Sequence, residues 1–131
     1  MKPILAALAL AVILLAGCMT TAPPITAGYT DVTAAEAQEL IDTTPGLIII
    51  DVSPIYDQGH IPGAVTYYGG DGSLDAAIPA LDPTAPYLVY CHTDAASIQG
   101  AQKLVDAGFT NVYRLEGNFA AWVAAGYPVE T

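Results

Sequence analysis

Three short runs of β-branched, aliphatic and aromatic residues constrain this chain most: 47–52 (LIIIDV), 87–90 (YLVY) and 112–115 (VYRL). The first two lack the polar alternation of a half-exposed strand. Continuous apolar runs of this length are expected of strands buried on both faces. Helix signals fill the intervals between them, and parallel strands require such crossover connections. The predicted class is α/β, a central mainly parallel sheet with helices on both faces. In such folds ligands bind beyond the carboxyl ends of the strands. Cys91 directly follows the second run.

The helices announce themselves by their ends. Thr33-Ala34-Ala35-Glu36 fits a capping box, in which the hydroxyl accepts an orphan amide and the glutamate reaches back. The helix it opens runs to about Asp42, with Ala37, Leu40 and Ile41 on one face, before Thr43-Thr44-Pro45-Gly46. Ser73 is expected to cap a short helix through Leu81. A third helix covers roughly 96–107 and is ended by Gly108. A closing helix covers 119–125 and is stopped by Gly126. Turn-rich Gly59-His60-Ile61-Pro62-Gly63 leads into 64–67 (AVTY).

The N-terminus reads as a leader. Met1-Lys2 is followed by an unbroken apolar run, 4–16 (ILAALALAVILLA). This is shorter than the ~20 residues of a membrane-spanning helix and suits a secretory signal. Leu15-Ala16-Gly17-Cys18 resembles the lipobox of prokaryotic lipoproteins, a family cut before the cysteine, whose thiol carries a diacylglyceryl group. The alternative is an uncleaved N-terminal anchor; both put the rest of the chain outside the cytoplasm. The expected organisation is a signal peptide over 1–17, a lipid-anchored tether over 18–28 and one domain over 29–131. The resemblance implies export and attachment through Cys18 to the cell envelope membrane, on its periplasmic or extracellular face. Loss of Lys2 leaves two cations against 13 acidic residues, a net charge of −11. No nucleic-acid partner is expected, because phosphate binding needs clustered Lys and Arg.

With Cys18 acylated, Cys91 has no intramolecular disulfide partner. A strand, a tight loop and a helix N-terminus together make an anion cradle, since the loop and first-turn amides are unpaired and the helix dipole adds positive potential. A cysteine there is placed where the nucleophilic thiolate is favoured. The same amides could hold the outer sulfur of a persulfide. Free cysteines are also often buried and inert, so the local argument leaves both readings open.

Over about 29–129 the chain resembles the rhodanese family. Asp51-Val52 followed by Gly59-His60-Ile61-Pro62-Gly63-Ala64 is similar to its first signature. Tyr90-Cys91 followed by Ser97 is similar to its active-site loop. Ala107-Gly108-Phe109, Asn111-Val112-Tyr113, Leu115-Glu116-Gly117, Ala121-Trp122 and Ala125-Gly126-Tyr127-Pro128-Val129 follow its C-terminal signature in order. The resemblance implies a single rhodanese-like domain that carries sulfane sulfur as a persulfide on Cys91. Its partners would be a small sulfur donor and a thiol or cyanide-like acceptor, or a protein persulfide; no cofactor is implied. The binding loop would be His92, Thr93, Asp94, Ala95, Ala96 and Ser97. The family's loop commonly reads Cys-x-x-Gly-x-Arg-Ser, so Asp94 stands in the glycine position and Ala96 in the arginine position. Ser53 replaces another common arginine, and Asn118 a common glycine. Losing a charge-assisted contact to an oxyanion costs about 1.5–3 kcal/mol, and Asp94 is expected to add repulsion. A neutral donor, a polysulfide or a protein persulfide needs the arginine less.

The other polar residues invite quieter readings. His92 either polarises the thiol or points to solvent, and the second is favoured. Asp51 and His60 are expected to support the site through hydrogen bonds. Asp71 and Asp75 lack the remaining ligands of a calcium loop. Cys91, His92, His60 and Asp94 fit no familiar zinc spacing, so no metal is expected. Two functions remain: a sulfurtransferase with Cys91 as nucleophile, or a non-catalytic module that binds a sulfur species or a protein. A cysteine phosphatase is set aside, because no arginine lies between Cys91 and Arg114 to clamp a phosphoryl group.

Overall fold

The computed structural model describes residues 28–131. The expected signal peptide (1–17) and lipid-anchored tether (18–28), Cys18 included, lie outside the described residues except for Gly28. The sheet has five strands: β1 (Thr30–Val32), β2 (Ile48–Asp51), β3 (Val65–Thr66), β4 (Tyr87–Tyr90) and β5 (Val112–Leu115). Their spatial order is β1-β5-β4-β2-β3, and every neighbouring pair is parallel. Four helices connect or cover them: α1 (Ala34–Thr43), α2 (Ser73–Ala77), α3 (Asp94–Asp106) and α4 (Asn118–Ala124).

Side chains alternate across the central strands and create two cores. Ile49, Leu88, Tyr90 and Leu115 face α1 and α4, where they meet Ala37 and Trp122. Ile50, Tyr87, Val89 and Val112 face α2 and α3, where they meet Leu74, Ala101 and Leu104. The sheet is therefore covered on both faces, as the continuous apolar runs require. Burying one such aliphatic side chain contributes roughly 1.5–3 kcal/mol.

Several boundaries move for local reasons. The Thr33 capping box forms in full, with the Glu36 amide donating to Thr33 Oγ1 and the Thr33 amide donating to Glu36 Oε1, both at 3.2 Å. Ser73 is not a cap: it is the first residue of α2, and Gly72 holds the cap position with φ +85° and no side-chain bond. The helix ends at Ala77 and tightens into a 3-10 turn, Ile78–Ala80, around Pro79, which has no amide to donate. The helix after Cys91 starts two residues earlier than expected, at Asp94, because Thr93 caps it: Thr93 Oγ1 accepts from the Ala96 amide at 3.3 Å. The closing helix likewise starts one residue early, at Asn118. Strand β1 is an addition, three residues long and held at the sheet edge by β5.

Candidate active site

Two segments leave the carboxyl edge of the sheet side by side. One follows β2 and the other follows β4, and their strands are in register through Asp51 and Tyr90. The Val52 amide donates to the Tyr90 carbonyl at 3.0 Å, and the Gly69 amide donates back to the Val52 carbonyl at 3.2 Å. Between them opens a cavity of about 370 Å³. Val52, Ser53, Pro54 and Ile55 form one wall; Tyr68, Gly69, Gly70 and Leu74 form a second. Cys91, His92 and Thr93 supply the base, and one face of α3 completes it.

Cys91 is buried, at 5% exposure, and borders this cavity as a free thiol. Its backbone is held on both sides by α4. The Cys91 amide donates to Asn118 Oδ1 at 3.2 Å, and the Phe119 amide donates to the Cys91 carbonyl at 3.1 Å. Asn118 can do this because its backbone is left-handed, at φ +58°. Its Nδ2 donates onward to Asp94 Oδ1 at 2.8 Å.

Thr93 organises the start of α3 behind the cysteine. Its hydroxyl takes the Ala96 amide and its carbonyl takes the Ser97 amide at 3.2 Å. The amides of Asp94 and Ala95, ahead of these, have no acceptor among the described residues. Unpaired first-turn amides favour a negative charge nearby.

The loop residues separate into two groups. His92, Thr93 and Ala96 line the cavity with Cys91. Asp94, Ala95 and Ser97 do not. Asp94 turns instead to Arg114, whose Nη1 donates to Asp94 Oδ1 at 2.8 Å and to Ser97 Oγ at 3.1 Å. Arg114 Nε donates to Asp31 Oδ1 at 2.7 Å. The repulsion expected of Asp94 is thus offset at its source. The Arg114 hydrogen bond holds its carboxyl below the usual carboxylate range, against a smaller opposing effect of desolvation. Burial opposes the Arg114 charge, but its two carboxylate partners more than compensate. This arginine, 5% exposed, fastens β1 and α3 to β5 and does not reach the cavity.

His92 is not turned to solvent as its place next to Cys91 on a tight loop predicts. It is half-buried beside Phe119, with ring centroids 5.0 Å apart, and its Nε2 is buried with no partner among the described residues. Asp51 is fully buried; Oδ1 accepts from the Ser53 amide at 2.8 Å, and Oδ2 has no partner among the described residues. Burial pushes the neighbouring Tyr90 hydroxyl well above its ordinary range, and the Asp51 charge adds to this. Tyr90 Oη accepts from the Ile61 amide at 3.0 Å, which anchors the Gly59–Gly63 turn. His60 stacks on Tyr56 and its Nδ1 lies 3.0 Å from the Tyr56 carbonyl. That carbonyl can only accept, so Nδ1 carries the hydrogen. Asp71 accepts from the Ser73 amide and Asp75 from Lys103, each at 2.9 Å, so the two carboxylates do not converge.

Sequence reasoning missed Lys103. It stands on the cavity face of α3 with Ala96, Gln99 and Gly100. The spacing of 96, 99, 100 and 103 is one helical stripe. The signal was present, but it needed the cavity to give that stripe a meaning.

Comparison with known proteins places this geometry among relatives. The family profile described as "Rhodanese-like domain" matches residues 33–125. A thiosulfate sulfurtransferase GlpE of Pseudomonas fluorescens is 36% identical over 87 residues, covering 65% of this chain and 77% of the relative. The thiosulfate sulfurtransferase GlpE of Pseudomonas entomophila is 35% identical over 96 residues, covering 72% and 85%. Among solved structures, the Alr3790 protein from Anabaena superposes with a TM-score of 0.67 at 30% identity, covering 76% of this chain and 90% of that one.

Proposed function

The chain belongs to the rhodanese-like domain family, and from that premise we propose that it is a sulfurtransferase which carries sulfane sulfur as a persulfide on Cys91. The observation that carries this reading is the placement of Cys91. A free cysteine borders a cavity at the carboxyl edge of the sheet, in front of a helix start whose first two amides have no acceptor among the described residues. The relatives named as thiosulfate sulfurtransferases support the same class of reaction.

In the first step the Cys91 thiolate attacks the outer sulfur of a donor. The sulfur–sulfur bond of the donor breaks, and the leaving group departs with the electron pair. In the second step a thiolate or cyanide-like acceptor attacks the outer sulfur of the Cys91 persulfide, which restores the thiolate. The positive N-terminal end of α3, just behind the cysteine, gives the negative outer sulfur a favourable field between the steps.

The expected result is a gain of one sulfur mass on wild type, and none on Cys91→Ser, by intact mass spectrometry after incubation with polysulfide. Thiosulfate is expected to load more slowly, because Ala96 and Ser53 leave no cation beside the cysteine. No adduct with either donor, on a Cys91 that still alkylates, would leave the non-catalytic binding module as the better reading. We also propose that the domain is exported and tethered to the envelope membrane through lipidated Cys18, on the support of Leu15-Ala16-Gly17-Cys18. Incorporation of labelled fatty acid into the wild-type chain, but not into Cys18→Ser, is the expected outcome.

A further inference from the structure

We propose that Lys103 determines donor specificity at the Cys91 cavity, selecting hydropersulfides whose single carboxylate sits at the far end of an uncharged chain. The inference rests on the sulfurtransferase reading and adds a substrate class to it.

The cations are few enough to follow individually. Among the described residues they are Lys103 and Arg114. Arg114 is committed to Asp31 and Asp94 behind the loop. Lys103 is therefore the one cationic side chain on the cavity wall. Its place along that wall matters. Ala96 marks the cysteine end of α3, and Lys103 is seven residues further on, about 10 Å along the axis at 1.5 Å per residue. The wall between the two ends is largely apolar, with Val52, Pro54, Ile55 and Leu74.

This arrangement inverts the requirements of a small oxyanion donor. Thiosulfate brings its charge within one bond of the transferred sulfur, where Ser53 and Ala96 offer no cation. A donor whose disulfane head brings at most one charge, with an apolar body and a remote carboxylate, matches the cavity from end to end. Lys103 is already oriented for a carboxylate: its Nζ donates to Asp75 Oδ2 at 2.9 Å, across from α2. Asp75 is 57% exposed and the Lys103 side chain 28%. An ion pair this exposed is weak, so an incoming carboxylate can exchange with Asp75 while Lys103 keeps its position.

The chemistry balances without a further reagent. The Cys91 thiolate attacks the outer sulfur of R–S–S–H, the donor sulfur–sulfur bond breaks, and R–S⁻ leaves with the electron pair. The outer sulfur and its hydrogen remain as Cys91–S–S–H, and the leaving thiolate takes a proton from solvent.

The test uses the full chain in detergent with the hydropersulfides of mercaptooctanoate and of its methyl ester, which share one length and differ in charge. Wild type is expected to favour the acid by about twofold to fivefold in kcat/KM, through KM. Lys103→Gln should bring the acid-to-ester ratio to about one, and Lys103→Arg should preserve it. Asp75→Asn should raise the ratio, because it removes the competing carboxylate. Equal ratios in wild type and Lys103→Gln would overturn the proposal. The same comparison is made by equilibrium binding of the inert S-methyl thioethers to Cys91→Ser, with and without Lys103→Gln. Absence of sulfur transfer then counts against the sulfurtransferase reading, while the binding ratio still decides Lys103. A ratio near one in binding overturns the Lys103 assignment whatever the transfer result.

Discussion

Asn118 shows how one side chain can hold Cys91 in place without touching its thiol. Its carbonyl oxygen receives the Cys91 amide, its amide nitrogen reaches Asp94, and its backbone pays for this with φ +58°. Asn118→Gly would relieve the backbone and lose both bonds, for an expected net destabilisation of about 1–2 kcal/mol in urea unfolding. Asn118→Ala would lose the bonds and keep the strain, adding roughly 1 kcal/mol more. Both should slow sulfur loading of Cys91; unchanged stability in the glycine variant would show that the bonds contribute nothing net. The sequence marked this position only as a departure from a common glycine. Neither the left-handed backbone nor the bond to Cys91, 27 residues away, was read from it, because no local pattern encodes them. Asp94 adds a pH dependence with a definite sign. Its carboxyl lies below the ordinary value of 3.8 in the folded chain, chiefly through Arg114. The stabilisation from that pair is therefore complete above about pH 4. It is lost as the pH falls through the lower folded value. Denaturation followed from pH 5 downward should show this loss in wild type and a smaller one in Asp94→Asn.

Two helices begin with the same residue type and have different consequences. Thr33 caps α1 through a full capping box, and Thr93 caps α3 through its hydroxyl alone. Thr33→Ala and Thr93→Ala should each cost about 1 kcal/mol of stability. Only Thr93→Ala should also slow persulfide formation, because the turn that frays is the one facing Cys91. Equal loading rates in the two variants would mean that the α3 amides do not assist the sulfur. These elements also show what a sequence displays and what it conceals. Strands β2 and β4 were legible because burial leaves a sustained run of apolar residues, and β5 because Val112, Tyr113 and Leu115 keep that character around Arg114. Strand β1 was not, because three residues at a sheet edge, Thr30, Asp31 and Val32, carry no period. Thr93 was a candidate loop residue rather than a recognised cap. Its role depends on where the loop ends, and that is fixed when the Asn118 and Arg114 contacts pull Asp94 onto the first turn of α3.

At the scale of the whole molecule, charge and cavity oppose each other. The chain carries 13 acidic residues against three cations, a net charge of −10. Anionic donors therefore approach a negative surface, and repulsion reaches as far as salt permits: about 30 Å at 0.01 M and about 8 Å at 0.15 M ionic strength. Thiosulfate has no cation beside Cys91 to reward its arrival, so its approach should follow this outer field. Its kcat/KM is expected to rise about twofold to fivefold as ionic strength increases over that range. Alkylation of Cys91 by iodoacetamide, an uncharged reagent, should show no change, which separates screening from any effect of salt on the protein. A thiosulfate rate that falls with salt would mean that Lys103 sets the potential at the cavity mouth despite the 13 carboxylates around it. Specificity would then begin at encounter. A rising rate would place it after encounter, in the contact between Lys103 and the donor's far end.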